Sequence, residues 1–160
     1  SRLPHGSATV YSNVDPTCCP AGKSVVATIC FADADVFQRV LVGRGVRGRA
    51  YKELKKRITA QLLEKMARTL GVPDLERHVE VVELATPVTL ERYTRNRAGS
   101  FVGWKNTPDQ GGFDSIPQES PIPNLFLCGH WIFPAGGVSP VINGGNNAAE
   151  LAAAYLQAER

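Results

Sequence analysis

Residues 122–156 change character three times, and each change restricts how the chain can fold. An apolar run at 124–128, bounded by proline and glycine, predicts a short buried strand. Glycines and a proline in 129–137 predict an irregular loop. A helix follows, with Ser139 as its N-cap and Pro140 in its first turn. Strand, loop and helix start together direct free backbone N–H groups at one place, which suits an anion or a polar ring edge.

Two glycines interrupt this helix. Gly144 and Gly145 each cost about 1 kcal/mol of helix stability relative to alanine. Close approach of another backbone or of a flat ligand would compensate for that cost. Ordinary tight packing of the helix on a strand would do so equally, and the pattern alone does not separate the two explanations.

Three stretches, taken in order, carry a family resemblance: TPVTLERYTRNRAGSFVGW at 86–104, SPIPNLFLCG at 120–129 and FPAGGVSPVINGGNNAAE at 133–150. They resemble the C-terminal FAD-binding segment of the phytoene desaturase family, whose relatives include carotenoid isomerases, retinol saturases and, more distantly, amine oxidases. The resemblance covers the second half of the chain well and the first half loosely.

The resemblance implies an α+β architecture, as a fragment of an α/β flavoprotein. Residues 1–118 would be mostly strands and helices of a substrate domain, including a long amphipathic helix. Residues 119–160 would be the last strand, loop and helix of a Rossmann-like FAD-binding domain. We expect the two parts to form one compact unit.

The resemblance also implies a cofactor site. The residues it assigns to FAD are Gly129, His130, Gly136, Gly137, Val138 and Ser139. Gly137 would let the main chain approach the isoalloxazine, and the N–H groups of Val138 and Ser139 would face the carbonyl edge of that ring. His130 stands where many members have an acidic residue that binds a ribityl hydroxyl; a neutral imidazole can accept one hydrogen bond.

Four aromatic residues near these positions could line a tunnel for an apolar substrate or simply belong to the core: Phe101, Trp104, Trp131 and Phe133. No side chain is assigned as catalytic, because a bound flavin itself supplies redox chemistry.

The implied function is that of the C-terminal part of an FAD-dependent oxidoreductase. It would be a desaturase, saturase or isomerase acting on a long apolar, polyene-type substrate. The alternative is a non-catalytic scaffold or interaction domain that keeps the shape without FAD. Complete family members carry an N-terminal portion that grips the ADP half of FAD, so we expect that portion as partner. We also expect the isolated chain to be inactive and to bind FAD negligibly.

Length, charge and composition limit the kinds of partner and site that the chain can have. With 160 residues, 43% of them hydrophobic, the chain can bury a core, and its net charge of +3 is too small to indicate nucleic acid by itself. The sequence has no membrane-spanning run and no signal segment at its start. Its four cysteines lack zinc spacing with the histidines, so we expect no metal and reduced thiols in a cytoplasmic protein.

Residues 44–57 are strongly basic. The letters of G-x-G-x-x-G occur at 43–48, but two of the variable positions are arginine and the residues about 20 positions on lie inside a predicted helix, so we interpret the segment as a flexible basic loop. Residues 51–70 follow as a predicted helix with one apolar stripe. A solvated helix face, peripheral contact with an anionic membrane, or contact with nucleic acid would each explain the charges between Arg44 and Arg57, the last least well because aromatics are few.

Shorter elements are predicted elsewhere in the chain. Residues 8–13 and 24–31 are predicted to be antiparallel strands, and 33–42 a short helix. Residues 78–85 are predicted as a strand, and a helix capped by Thr86 follows, through residue 93. The segment 98–104 is predicted as a further strand or extended segment.

Overall fold

The computed structural model describes residues 6–43, 45–105, 107–108 and 116–158. Two strands are described, β1 (Gly6–Val10) and β2 (Val26–Cys30), and five α-helices: α1 (Ala34–Gln38), α2 (Arg49–Leu70), α3 (Leu75–His78), α4 (Pro87–Thr94) and α5 (Val138–Ala158). The chain divides into two compact units, Ser1–Gly99 and Ser100–Arg160. The division into a substrate part and an FAD-binding part at residue 118 stays a prediction.

The first unit begins with the antiparallel pair that the sequence predicts. β1 and β2 are paired from Gly6 opposite Cys30 to Val10 opposite Val26. β1 ends at Val10, because the chain there turns into a single 3₁₀ turn, Tyr11–Asn13, and β2 is shorter than predicted at both ends. The strand prediction is thus confirmed for the pairing and wrong for residues 11–13.

A small core in the first unit joins α1, α2 and α4. Phe37, Tyr51 and Leu54 are its buried members, and Val88 of α4 packs against them. The predicted helix within 33–42 is confirmed as α1, whose N-cap is Asp33; its carboxylate accepts from the N–H of Asp35.

The long helix α2 confirms the prediction for residues 51–70. It ends where the sequence indicates, because Gly71 adopts the left-handed conformation, φ 69°, and its N–H bonds to the carbonyl of Ala67. Only the first turns of the apolar stripe reach full burial: Tyr51 is 3% and Leu54 7% exposed, whereas Ile58 is half-buried.

The strand predicted for residues 78–85 is wrong. The chain there leaves α3 at His78 and continues without regular structure, with Val81 84% and Val82 50% exposed. A strand needs a neighbour for its backbone groups, and among the described residues no strand lies beside this segment. The alternation of residue types in 78–85 does not by itself provide a neighbouring strand.

The helix predicted after Thr86 is confirmed as α4. The Thr86 hydroxyl accepts from the N–H of Thr89, and Pro87 occupies the first turn. The same hydroxyl lies 2.7 Å from the hydroxyl of Tyr51, in the buried interior. One threonine therefore caps α4 and ties it to α2.

The extended segment predicted for 98–104 is also wrong. Arg97–Gly99 is a 3₁₀ turn in which Ala98 has φ 56° and Gly99 φ 69°. A side chain at Gly99 would collide with the backbone of Pro87, so only glycine fits this turn. The left-handed residues fold the chain back on α4 and prevent a strand from starting here.

The second unit has less regular structure before its helix. The buried strand predicted at 124–128 is wrong: Leu125 is 44% exposed, Cys128 is exposed, and the described residues pair with the segment through one bridge, Glu119 with Phe126. The predicted helix is confirmed as α5, although it starts at Val138, so Ser139 lies inside its first turn and not at its N-cap. Among the described residues, no helix is both long and apolar enough to cross a lipid bilayer.

Candidate functional site

The loop from Gly129 to Gly137 is held in place by the segment that precedes it. The N–H of Leu127 bonds to the carbonyl of Gln118 at 2.8 Å, and the N–H of Phe133 bonds to the carbonyl of Ile116 at 2.7 Å. The side-chain amide of Gln118, only 6% exposed, donates to the carbonyl of Phe133. Residues 116–118 therefore bind the segment before the loop and the middle of the loop without forming a sheet.

Helix α5 packs under this loop at Gly144. A Cβ built on Gly144, which is buried, would lie 3.6 Å from the carbonyl oxygen of Phe133 and 3.6 Å from Cδ of Pro134. A larger side chain would push the loop away from the helix. A Cβ at Gly144 would make ordinary van der Waals contacts, so the loop excludes only side chains larger than alanine there, whereas a Cβ at Gly145 would meet nothing within 4 Å.

The segment after the unit boundary contacts the other side of the loop. Gly103, with φ 91°, is buried with its Cα against the carbonyl oxygen of His130, where any side chain would collide. The next residue, Trp104, places its ring edge-on to Trp131, with centroids 4.8 Å apart. The ring of His130 lies 4.8 Å from that of Trp131, tilted by 40°. Three rings therefore form one cluster.

One ring atom in this cluster has no partner. Nε2 of His130 is buried and forms no hydrogen bond within the described part of the chain. A buried nitrogen of this kind costs roughly 1–3 kcal/mol when left unsatisfied. The imidazole is therefore an unused hydrogen-bonding group beside Gly129.

Two glycines of this loop have open Cβ positions. Gly129 has φ 112° and Gly136 φ 122°, conformations that side chains rarely adopt. A Cβ at Gly129 or at Gly137 would have no atom within 4 Å. As far as the described residues show, the Cβ positions of these two glycines in the bend after Cys128 are thus unoccupied.

The first turn of α5 adjoins this opening. The N–H of Val141 bonds to the carbonyl of Gly137 at 3.2 Å, and Pro140 carries no N–H. The N–H groups of Val138 and Ser139 precede the first intrahelical bond and so have no acceptor within the helix. Both side chains are exposed, Val138 at 79%. Two backbone donors and the positive end of a 21-residue helix dipole are available there.

The structure thus gathers some of the sequence-predicted residues and leaves others apart. Gly129, His130, Gly136, Gly137, Val138 and Ser139 lie in one continuous loop and helix start within the second unit. Among the proposed tunnel residues, Trp104 and Trp131 meet. Phe133 binds the 116–118 segment through its main chain, and Phe101 is 42% exposed.

Two residues of the site were missed by the sequence analysis. Gln118 lies in a turn-rich stretch where an amide has no distinguishing signal. Gly103 lies in a segment predicted to be extended, and glycine within such a segment is itself a sign of close backbone approach. The glycine at position 103 could therefore have indicated this close backbone approach from the sequence alone.

In the ranges that the structure describes, no three side chains of histidine, cysteine or acidic residues lie together as a metal would require. Cys18, Cys19, Cys30 and Cys128 are free thiols.

Comparison with known proteins gives one informative similarity. No protein-family model matches the chain, and no solved structure matches it. The mouse pyridine nucleotide-disulfide oxidoreductase domain-containing protein 2 is 28% identical over 156 residues, which covers 94% of this chain and 25% of the mouse protein. The chain thus spans about a quarter of the length of that relative. The similarity relates nearly the whole chain to an oxidoreductase-domain protein, without distinguishing a desaturase, saturase or isomerase.

Proposed function

We propose that this chain is the C-terminal part of an FAD-dependent oxidoreductase and supplies the isoalloxazine side of the cofactor site. The open bend at Gly129 and Gly137, beside an unpartnered imidazole and the start of α5, carries this proposal. The similarity to an oxidoreductase-domain protein supports the reaction class. In this proposal the segment from residue 119 to 160 belongs to a Rossmann-like FAD-binding domain, and residues 1–118 belong mostly to a substrate domain.

The residues at the bend suit a flat ring with hydrogen-bonding edges. Gly137 can lie against the ring because it has no side chain, and the N–H groups of Val138 and Ser139 can donate to carbonyl oxygens. The imidazole of His130 would have to turn its buried Nε2 toward the bend to bind a hydroxyl of the ribityl chain, and that bond would end its unsatisfied state. The α5 dipole would stabilise negative charge at its N-terminus.

When bound, the flavin would accept or donate the electrons of the reaction. The chain's own residues would hold the ring and exclude water from it. Because the flavin would supply the redox chemistry, no side chain is assigned as catalytic.

A long apolar substrate of polyene type is the second part of the proposal. Trp104 is 54% exposed although it packs on Trp131, and Val138 presents an apolar side chain at the start of α5. Exposed aromatic and aliphatic surface beside a cofactor opening favours an apolar substrate over a charged one.

The test is flavin content. The protein, expressed in its complete natural form, should carry a yellow flavin that denaturation releases and fluorescence quantifies. Gly137→Leu, which fills the opening, should lower the bound flavin at least tenfold at equal protein concentration. His130→Ala should weaken flavin binding by roughly fivefold to tenfold through one lost hydrogen bond.

Gly145→Ala is the matched control, because this glycine also has open space around it but lies more than two turns along α5 from Gly137. It should retain full flavin content. A complete protein that stays colourless after incubation with FAD would refute the proposal and favour the non-catalytic scaffold.

A further inference from the structure

A tight turn in the first unit presents two aliphatic side chains to solvent. Val42 and Val46 exchange both main-chain hydrogen bonds at 2.9 Å, and Gly43 and Gly45 take left-handed conformations between them. The side chains of Val42 and Val46 are 59% and 62% exposed. We call this segment the valine turn.

The valine turn is attached to the start of α2. The N–H of Gly48 bonds to the carbonyl of Val46 at 3.0 Å. A Cβ on Gly48 would lie 3.1 Å from Cγ2 of Val42, so the valine packs tightly on the residue that caps the helix. The exposed valines therefore keep a defined position beside the first turn of α2.

Basic side chains lie along one face of α2, starting next to the valine turn. Arg49, Lys52 and Lys56 recur at helical spacing, opposite the buried Tyr51 and Leu54. All three are exposed, as is Arg47 before the helix. In the described part of the chain, no carboxylate forms an ion pair with any of the four. Arg44, which belongs to the same basic run, lies outside the described residues.

These charges lie at the unfavourable end of the helix. The N-terminus of a helix carries partial positive charge, which acidic residues complement and basic residues oppose. The first turn of α2 has no acidic residue, and Arg49 is its first residue. The arrangement makes the folded chain less stable by itself, and an external anion reverses that penalty.

We propose that the valine turn and the basic face of α2 bind the surface of an anionic lipid bilayer. Arg47, Arg49, Lys52 and Lys56 would contact headgroups, and the two valines would enter the boundary between headgroups and acyl chains. A nucleic acid fits less well, because Tyr51 is only 3% exposed and cannot stack on a base, and the valines would remain solvated.

Vesicle co-sedimentation of the full chain tests this surface. The chain should bind phosphatidylcholine vesicles that contain phosphatidylserine, release them at high salt, and ignore vesicles of phosphatidylcholine alone. The triple variant Arg49→Gln, Lys52→Gln, Lys56→Gln should bind on the order of 100-fold more weakly, about fivefold for each cation removed. Arg68→Gln, Arg77→Gln, Arg92→Gln removes the same charge elsewhere in the first unit and should keep most of the binding.

Two further readouts separate membrane docking from a generic charge effect. The Val46→Trp variant should shift its emission to the blue on addition of the anionic vesicles, relative to the unsubstituted chain, whose Trp104 and Trp131 give the background. The Arg49→Gln variant should bind more weakly while its melting temperature rises by about 1–3 °C, because one opposing charge leaves the helix start.

Three results would overturn the proposal. The first is equal loss of binding in the two triple variants. The second is an unshifted emission of the Val46→Trp variant with vesicles bound, which would exclude insertion of the turn. The third is tighter binding to duplex DNA or to polyglutamate than to the anionic vesicles, which would assign the surface to a nucleic acid or an acidic protein.

Discussion

At the scale of single residues, a hydrogen bond between two buried hydroxyls links helix α2 to the start of α4. Tyr51 comes from α2 and Thr86 precedes α4, and their oxygens lie 2.7 Å apart with side chains 3% and 2% exposed. Thr86 also accepts from the N–H of Thr89. Both groups are removed from water, so loss of the Tyr51 hydroxyl removes one buried hydrogen bond while Thr86 keeps its contact with Thr89.

Tyr51→Phe should therefore lower the free energy of unfolding by about 1 kcal/mol, since the ring stays in place and only the hydroxyl is lost. Urea denaturation measured by circular dichroism checks this. Tyr93→Phe is the control: that ring is 77% exposed, and the substitution should change stability by less than about 0.5 kcal/mol. Equal effects of the two substitutions would show that the Tyr51 hydroxyl contributes nothing.

At the scale of elements, helix α5 contains two adjacent glycines with different surroundings. Gly144 faces the loop at Phe133 and Pro134, whereas the position of a Cβ on Gly145 is open. The cost of glycine in a helix is the same at both positions, but only at Gly144 would a side chain larger than alanine meet the loop.

Gly145→Ala should consequently stabilise the chain by up to about 1 kcal/mol, because helix propensity improves and nothing is displaced. Gly144→Val should destabilise it by roughly 1–3 kcal/mol, since the branched side chain forces the loop off the helix. Thermal unfolding of the two variants side by side is the measurement. A destabilised Gly145→Ala variant would mean that this face of α5 is covered in solution.

At the scale of the whole molecule, the two units expose much of their apolar surface. Among the described residues, four hydrophobic side chains are buried, Phe37, Tyr51, Leu54 and Ile132, whereas twenty large ones are more than a third exposed. So small a core gives little stability. We propose that the N-terminal FAD-binding portion of the complete protein covers part of this surface.

The isolated chain should thus bind a hydrophobic dye such as anilinonaphthalene sulfonate more strongly than the complete protein does, because the apolar surface is uncovered. The complete protein should bind less dye per residue and melt at a higher temperature. Dye fluorescence compared at equal mass concentration decides between these outcomes. Equal dye binding per residue by the isolated chain and the complete protein would contradict the proposal.

The isolated chain should also bind FAD too weakly for titration calorimetry to detect. In the proposed site its residues contact only the isoalloxazine side, and the 43–48 glycines form the valine turn and helix start instead of a phosphate-binding loop after a strand. Micromolar affinity in this chain would show that it holds the whole cofactor by itself.

Local chemistry made much of this fold predictable from the sequence. Gly71 ends α2 because only glycine adopts its left-handed conformation readily, and Thr86 with Pro87 starts α4 through a cap and a fixed φ. Such signals depend on only a few neighbouring residues, so they act regardless of the tertiary surroundings. The glycines of the 129–137 loop belong to the same class.

Strands at 78–85 and 124–128 were not predictable in the same way, because a strand exists only beside a partner that supplies its hydrogen bonds. In the candidate site too, some features follow from the local sequence and others from tertiary contacts. The sequence by itself determined the open glycines and the start of α5 at residues 137–139. Only tertiary structure decided that Gln118 would bind the carbonyl of Phe133, that Gly103 would lie on His130, and that Nε2 of His130 would be buried, because each depends on distant segments meeting.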